Sequence, residues 1–159
     1  MGFKVKAKID FTKVRESFLS QIHDRMIAVF SLSCKEAVNY AKEKKGYTTQ
    51  TGALSASIGF QLYSAGALVE EYFQSTDPAG TAEGGALGIS TGKAVASGSD
   101  AKDTAPIVAV LVAGMPYAIH VESKGLDVLA GAILQLPAIL QKNMADMFSD
   151  TGVSFNITQ

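Results

Sequence analysis

The sequence predicts an α+β domain: one long N-terminal helix and a C-terminal helix packed on a mainly antiparallel sheet of about four to five strands. Three observations carry that prediction. Apolar residues recur every three or four positions from Phe11 to Ala41, the period of a single helical face. Ile58, Phe60 and Leu62 alternate with Gly59, Gln61 and Tyr63, and a second run from Leu68 to Gln74 follows the turn-forming Ser64-Ala65-Gly66, the pattern of a hairpin. A second amphipathic stretch runs from about Gly131 to Phe148. With 159 residues, 47% hydrophobic and 18% charged, the chain reads as one globular domain, 1–159, with room for a sizeable core.

Taken in order, Phe3, Val5, Ala7 and Ile9 alternate with Lys4, Lys6, Lys8 and Asp10. That alternation predicts a half-buried strand with a basic outer face suited to a sheet edge. The long helix is expected from Thr12 to Lys45, about 50 Å. Thr12 is its expected N-cap, Glu16 lies in its first turn, and Lys42, Lys44 and Lys45 precede the stop at Gly46. Its stripe is Phe11, Val14, Phe18, Ile22, Met26, Phe30, Cys34, Ala37 and Ala41, with Phe18 to Phe30 expected against the sheet. Such a helix outreaches a small sheet, so one end should project toward a neighbour.

Thr51 to Ser57 reads as a turn and a single helical turn leading into the hairpin. Ser75 to Ala105 holds mostly Gly, Ala, Ser, Thr and Asp with no sustained apolar period, so a flexible loop at about 75–105 is expected, ordering on assembly. Ile107-Val108-Ala109-Val110-Leu111-Val112 is nearly all apolar, which predicts a central strand. A short helix is expected over Tyr117 to Glu122, a brief strand over Leu126 to Leu129, and a final helix interrupted or begun by Pro137. The tail alternates again at Val153, Phe155 and Ile157.

Composition narrows the classes of function. The 14 basic and 15 acidic residues leave a net charge of −1, which argues against affinity built on neutralising phosphates. The single cysteine, Cys34, rules out an intramolecular disulfide and a multi-cysteine zinc cluster; its apolar neighbours predict a buried small hydrophobe. Met1 to Phe11 alternates instead of forming an apolar run, and Ile107 to Ala113 is too short to span a bilayer. Cytoplasmic production, with departure only inside a larger assembly, is the expectation.

No segment has the pattern of a catalytic, cofactor or metal site. Gly88-Ile89-Ser90-Thr91-Gly92-Lys93-Ala94 is one residue short of the nucleotide-loop spacing and carries Ala94 where a magnesium-binding hydroxyl is needed. His23 and His120 belong to no spaced ligand pair. Glu70-Glu71 reads as a solvated strand edge. No Gly-x-Ser-x-Gly elbow occurs.

Two short motifs remain. The first is Gly46-Tyr47-Thr48-Thr49-Gln50-Thr51-Gly52-Ala53-Leu54-Ser55-Ala56-Ser57-Ile58; the second is Pro116-Tyr117-Ala118-Ile119-His120-Val121-Glu122-Ser123-Lys124-Gly125. Gly52 suits a backbone angle other residues resist, and Tyr117 can bury its ring while its hydroxyl stays wet. In this order after a long helix, the pair resembles the tail-component, or tail-completion (neck), family of long-tailed bacteriophages and prophages, similar to the lambda-like Z-type minor tail proteins. Tyr47-Thr48, Thr51-Gly52, Leu54, Ser57-Ile58, Tyr117-Ala118 and Val121-Glu122 fall in register with that family's pattern, and Gly125 comes one residue late. Gln50 and Ser55 stand where relatives often carry arginine, and Ala53 where asparagine is common.

The resemblance implies a structural subunit of the head–tail junction that assembles as a homo-oligomeric ring beside other phage neck and tail proteins. It implies a place in the virion, assembly in the host bacterial cytoplasm, and no need of catalysis, cofactor or metal. It implies contact with neither a membrane nor a specific nucleic-acid sequence. Interface or fold-specifying candidates are Lys4, Lys6, Lys8, Thr51, Gly52, Leu54, Tyr117 and Glu122. The rival reading is a small-ligand-binding or enzymatic α+β domain whose site is composed only in three dimensions. A third is a toxin-like or regulatory module that shares only the fold.

Overall fold

A computed structural model describes residues 10–103 and 105–151. The expected N-terminal strand with Lys4, Lys6 and Lys8, and the alternating tail, lie outside the described residues. Helix α1 spans Phe11–Glu43. Its cap is Asp10, not Thr12: the Asp10 Oδ1 accepts from the Thr12 N–H at 3.1 Å and the Lys13 N–H at 3.4 Å. From Val29 onward the helix buries Cys34, Ala37, Val38 and Ala41, and these small side chains let it lie close on the sheet. Every residue from Phe11 to Gln21 is exposed. Of the four residues expected against the sheet, Phe18 is 60% exposed and Ile22 is half-buried. Met26 packs with Val29, Met144 and Phe148 in a separate cluster, and Phe30 alone reaches the main core. The sheet ends before the first half of the helix does.

Among the described residues the sheet has three strands in the order β2-β1-β3: β1 Ile58–Ser64, β2 Ala67–Phe73 and β3 Ile107–Ala113, all antiparallel. The α+β class holds, with three strands among the described residues against the four to five expected. Leu126 to Leu129 forms no strand. Ala65 (φ 48°) and Gly66 (φ 78°) turn the hairpin with two left-handed residues, matching the twist of the strands they join. Among the described strands β1 is central, and the all-apolar β3 lies at an edge.

The segment expected as a flexible loop supplies a further layer. Residues Ala82–Ser97 form helix α3, opened by Thr81, whose Oγ1 accepts from the Gly84 N–H at 3.0 Å. Gly84, Gly88, Gly92 and Ala96 recur every fourth residue and are all buried. The helical period is there, written in glycine, which a search for apolar side chains does not register. A β-carbon at Gly88 would stand 2.8 Å from the Ala56 Cβ, so the missing side chains are what allow this approach.

Helix α3 covers the second face of the sheet, where Tyr63, Phe73, Ala96 and Val110 form a cluster. Ile58, Phe60 and Leu62 face α1 on the other side, which leaves β1 buried over nearly its whole length. Gln61 survives there because it is satisfied: it accepts from the Tyr63 hydroxyl at 2.6 Å and donates to the Ser97 hydroxyl at 3.1 Å. Three further α-helices stand among the described residues: α2 Ala53–Ser57, α4 Ala118–Ser123 and α5 Ala130–Met147. Pro137 lies inside α5, which continues through it. Asn143 donates to Ser33 at 3.1 Å and Arg25 pairs with Asp150 at 3.1 Å, so α5 runs antiparallel along α1.

Candidate functional site

Beyond Glu43 the chain leaves α1 through bends without regular secondary structure, and Gly52 (φ 80°) turns it into α2. A β-carbon on Gly52 would lie 2.9 Å from the Gly80 Cα, so the turn needs glycine for its angle and for its space. The Thr51 carbonyl accepts from the Thr81 N–H at 2.9 Å, which anchors the start of α3 to the first motif. Leu54 is buried in the main core.

Ser57 ties the first motif to the second. Its hydroxyl donates to the Leu54 carbonyl at 2.8 Å and accepts from the Met115 N–H at 3.2 Å. Its own carbonyl accepts from the Gly114 N–H at 3.2 Å. These bonds fix where the chain leaves β3, and hence where Tyr117 and α4 stand. Glu122 faces away from the first motif: its Oε2 accepts from the Val128 and Leu129 N–H groups, both at 3.0 Å, and holds the approach to α5.

The two motifs thereby face each other across a cleft of about 520 Å³, lined by Tyr47 to Ser55 on one side and by Tyr117 and Val121 on the other. That volume falls in the range of small-ligand sites. Thr51, Gly52, Leu54 and Tyr117 meet here, whereas Glu122 lies behind. Tyr117 is 42% exposed at the rim. The Tyr47 hydroxyl is buried and makes no hydrogen bond. Burial first, then the nearby Asp77 carboxylate and Tyr117, push its pKa up to about 12. The Ser55 hydroxyl offsets part of this but stands outside hydrogen-bonding geometry.

Beside the cleft, Asp77 accepts from the Lys45 ammonium and the Thr49 hydroxyl, and its side chain is only 5% exposed. The Lys45 bond first, then Thr49, hold the Asp77 carboxyl below its ordinary range. The Lys45 ammonium also lies 5.9 Å from the Tyr47 ring centre, over its face.

The remaining sequence candidates do not converge. His23 bonds Ser64 at 2.9 Å, at the far end of β1, and His120 sits exposed on α4. Glu70 pairs with Lys35 at 2.5 Å, and Glu71 pairs with Lys93. The nucleotide-loop-like Gly88 to Ala94 is the middle of α3 rather than a loop. Among the described residues no group of three or more His, Cys, Asp or Glu stands close enough to hold a metal ion, and no helix is long and apolar enough to cross a membrane. Sequence reasoning missed Asp77 and the Tyr47 hydroxyl; Tyr47 lay inside a quoted motif, but Asp77 had no pattern to mark it.

Compared with known proteins, the chain matches no family model, no curated protein and no solved structure. What its residues define is a class of architecture: a three-layer α+β domain with a projecting helix and a cleft built from two tied motifs.

Proposed function

We propose that this chain is a structural subunit of the head–tail junction of a long-tailed phage or prophage, assembling as a ring that joins tail to head. One observation carries the reading. The first third of α1 extends past the core and exposes Phe11, Val14, Phe18 and Leu19, with Phe11 at 75%. Those four positions share one stripe over about 12 Å of helix. Contiguous exposed apolar surface of this kind marks a contact with another chain, because leaving it wet forgoes about 25 cal/mol per Å². The two motifs support the same reading, since their side chains are spent on holding backbone in place. Lys4, Lys6 and Lys8 remain interface candidates under it, and it requires no cofactor.

Light scattering on eluting protein, with negative-stain microscopy, tests this. Rings or higher oligomers should form as concentration rises. Phe18→Ser should lower the oligomer mass while changing unfolding stability by less than about 0.5 kcal/mol, as for an exposed position. A wild-type chain that stays monomeric at high concentration refutes the reading, as does a Phe18→Ser chain that assembles normally. The second reading, a small-ligand-binding or enzymatic domain, is favoured by the cleft and its unpaired Tyr47 hydroxyl.

A further inference from the structure

The cleft between the two motifs has a definite chemical character. None of the described residues lining it is Asp, Glu, Lys, Arg or His. Beside it, Lys45 and Asp77 neutralise each other. An ionised ligand entering here would shed water without finding a counter-charge.

The lining offers two kinds of contact. On one side Tyr117 stands at the start of α4 with Val121 one helical turn later, so ring and branched side chain share a face. Tyr117 is exposed at the rim, and its hydroxyl bonds no other described residue. On the other side Thr48 and Gln50 are exposed, and neither the Thr48 hydroxyl nor the Gln50 amide has a partner among the described residues. Thr49 between them differs, because its hydroxyl is given to Asp77. Ala53 and Leu54, both buried, add apolar lining.

These features select among neutral ligands. A purely apolar molecule would cover the polar groups of Thr48 and Gln50 and leave them unbonded. A hydroxyl and a primary amide both donate and accept, so they suit a partner whose own groups do both. A nucleobase instead presents fixed donors and fixed acceptors. A hydroxyl-bearing sugar ring carries bifunctional groups around its rim and C–H bonds on its faces. Such a C–H face can lie flat on an aromatic ring, whose own face is electron-rich. The cleft, at about 520 Å³, has room for a ligand of disaccharide size.

We propose that this cleft binds a neutral sugar, with a C–H face on the Tyr117 ring and hydroxyls bonded to Thr48 and Gln50. The inference rests on the small-ligand reading, to which it gives a chemical class, and it is independent of ring assembly. The sugar can arrive free or as part of a glycan, since both present the same ring.

The test uses the full chain, isotope-labelled for amide NMR and titrated with neutral sugars: the methyl glycosides of glucose, galactose and mannose, then N-acetylglucosamine, maltose, lactose and a neutral glucan oligosaccharide. At least one should shift the amides of Tyr47 to Ser55 and of Tyr117 to Val121 in a saturable way. Tighter binding of the oligosaccharide than of the small sugars assigns a glycan, and the reverse assigns a free sugar. Tyr117→Ala should weaken binding about fivefold or more, whereas Tyr117→Phe keeps the ring and should change it less than about twofold. Gln50→Ala should weaken it about twofold to tenfold, the worth of one neutral hydrogen bond. Both positions are exposed, so circular dichroism should show unchanged unfolding midpoints for these variants. Glucuronate and a hexose phosphate should bind about tenfold or more weakly than the matching neutral sugar. No saturable shift at high millimolar sugar overturns the proposal, as do shifts confined to other surfaces. Binding indifferent to both Tyr117→Ala and Gln50→Ala overturns it, and so does equal affinity for the charged sugars. Cleft shifts from a nucleoside or a blocked dipeptide but from no sugar overturn the sugar and keep the small-ligand reading; no cleft shift from any of them sinks both. Oligomer mass in the same samples decides the ring reading separately.

Discussion

Gly92→Ala sets two effects of opposite sign against each other. Glycine inside a helix costs about 1 kcal/mol relative to alanine, so propensity alone makes the substitution stabilising. Packing opposes it. A β-carbon on Gly92 would stand 2.6 Å from the Phe73 ring and 2.6 Å from the Ser57 carbonyl oxygen. Phe73 is buried in the cluster beneath α3, and Ser57 is held by Gly114 and Met115, so neither can withdraw easily. Overpacking a core costs about 1–3 kcal/mol, and a backbone obstacle places this site in the upper half of that range. The net expectation is a loss of about 1–2 kcal/mol. Gly98→Ala is the control: φ is −77°, and a β-carbon there meets nothing closer than 3.4 Å. It should be neutral or stabilising by up to about 1 kcal/mol. Urea unfolding followed by circular dichroism reads both midpoints. If Gly92→Ala stabilises as much as Gly98→Ala, α3 does not press on the sheet and the three-layer account is refuted.

Two further outcomes test the packing elsewhere. Burial first, then the Glu70 charge, push the Cys34 thiol up to about 12, so the folded protein should resist an aromatic disulfide reagent at pH 8 and react once unfolded; prompt reaction in the native state would show α1 lifted off the sheet. Lys45 and Thr49 depress the Asp77 carboxyl in the folded state, so its contribution is present above the ordinary value of 3.8 and lost as pH falls through the lowered one. Asp77→Asn should therefore flatten the acid limb of stability below about pH 4 while Glu70, Glu71 and Asp150 keep the rest; an unchanged limb would mean that the Lys45–Thr49–Asp77 group does not form.

The elements that were legible in the sequence are those whose period is written in large apolar side chains. Helix α1, the β1–β2 hairpin, β3 and α5 all announce themselves that way. Helix α3 does not, because its buried stripe is Gly84, Gly88, Gly92 and Ala96, and the same residues that make a helix weak in isolation let it approach β1. Missing that layer also hid which strand lies between two layers. An all-apolar strand reads as central, yet the strand covered on both faces is β1, whose Gly59 and Gln61 look solvent-facing until α3 is laid over them. The cleft was half legible. Both motifs were visible as sequence, but their meeting depends on the Ser57 bonds to Gly114 and Met115, a separation of nearly sixty residues that no local pattern encodes.

How the motif side chains are spent bears on what they can do. Glu122 gives one carboxylate oxygen to two backbone N–H groups, and Ser57 uses its hydroxyl both to donate and to accept. Bonds from a charged acceptor to backbone donors are among the stronger contacts a fold can make, and here they hold the approach to α5. Gly52 and Thr51 are likewise committed, one to a left-handed turn against Gly80 and one to the start of α3. Against these committed groups stands the Tyr47 hydroxyl, buried without a hydrogen bond where its residue packs against the main core. The committed motif groups are thus occupied in fixing the backbone around the cleft, while Phe11, Val14, Phe18 and Leu19 stay exposed on the first third of α1.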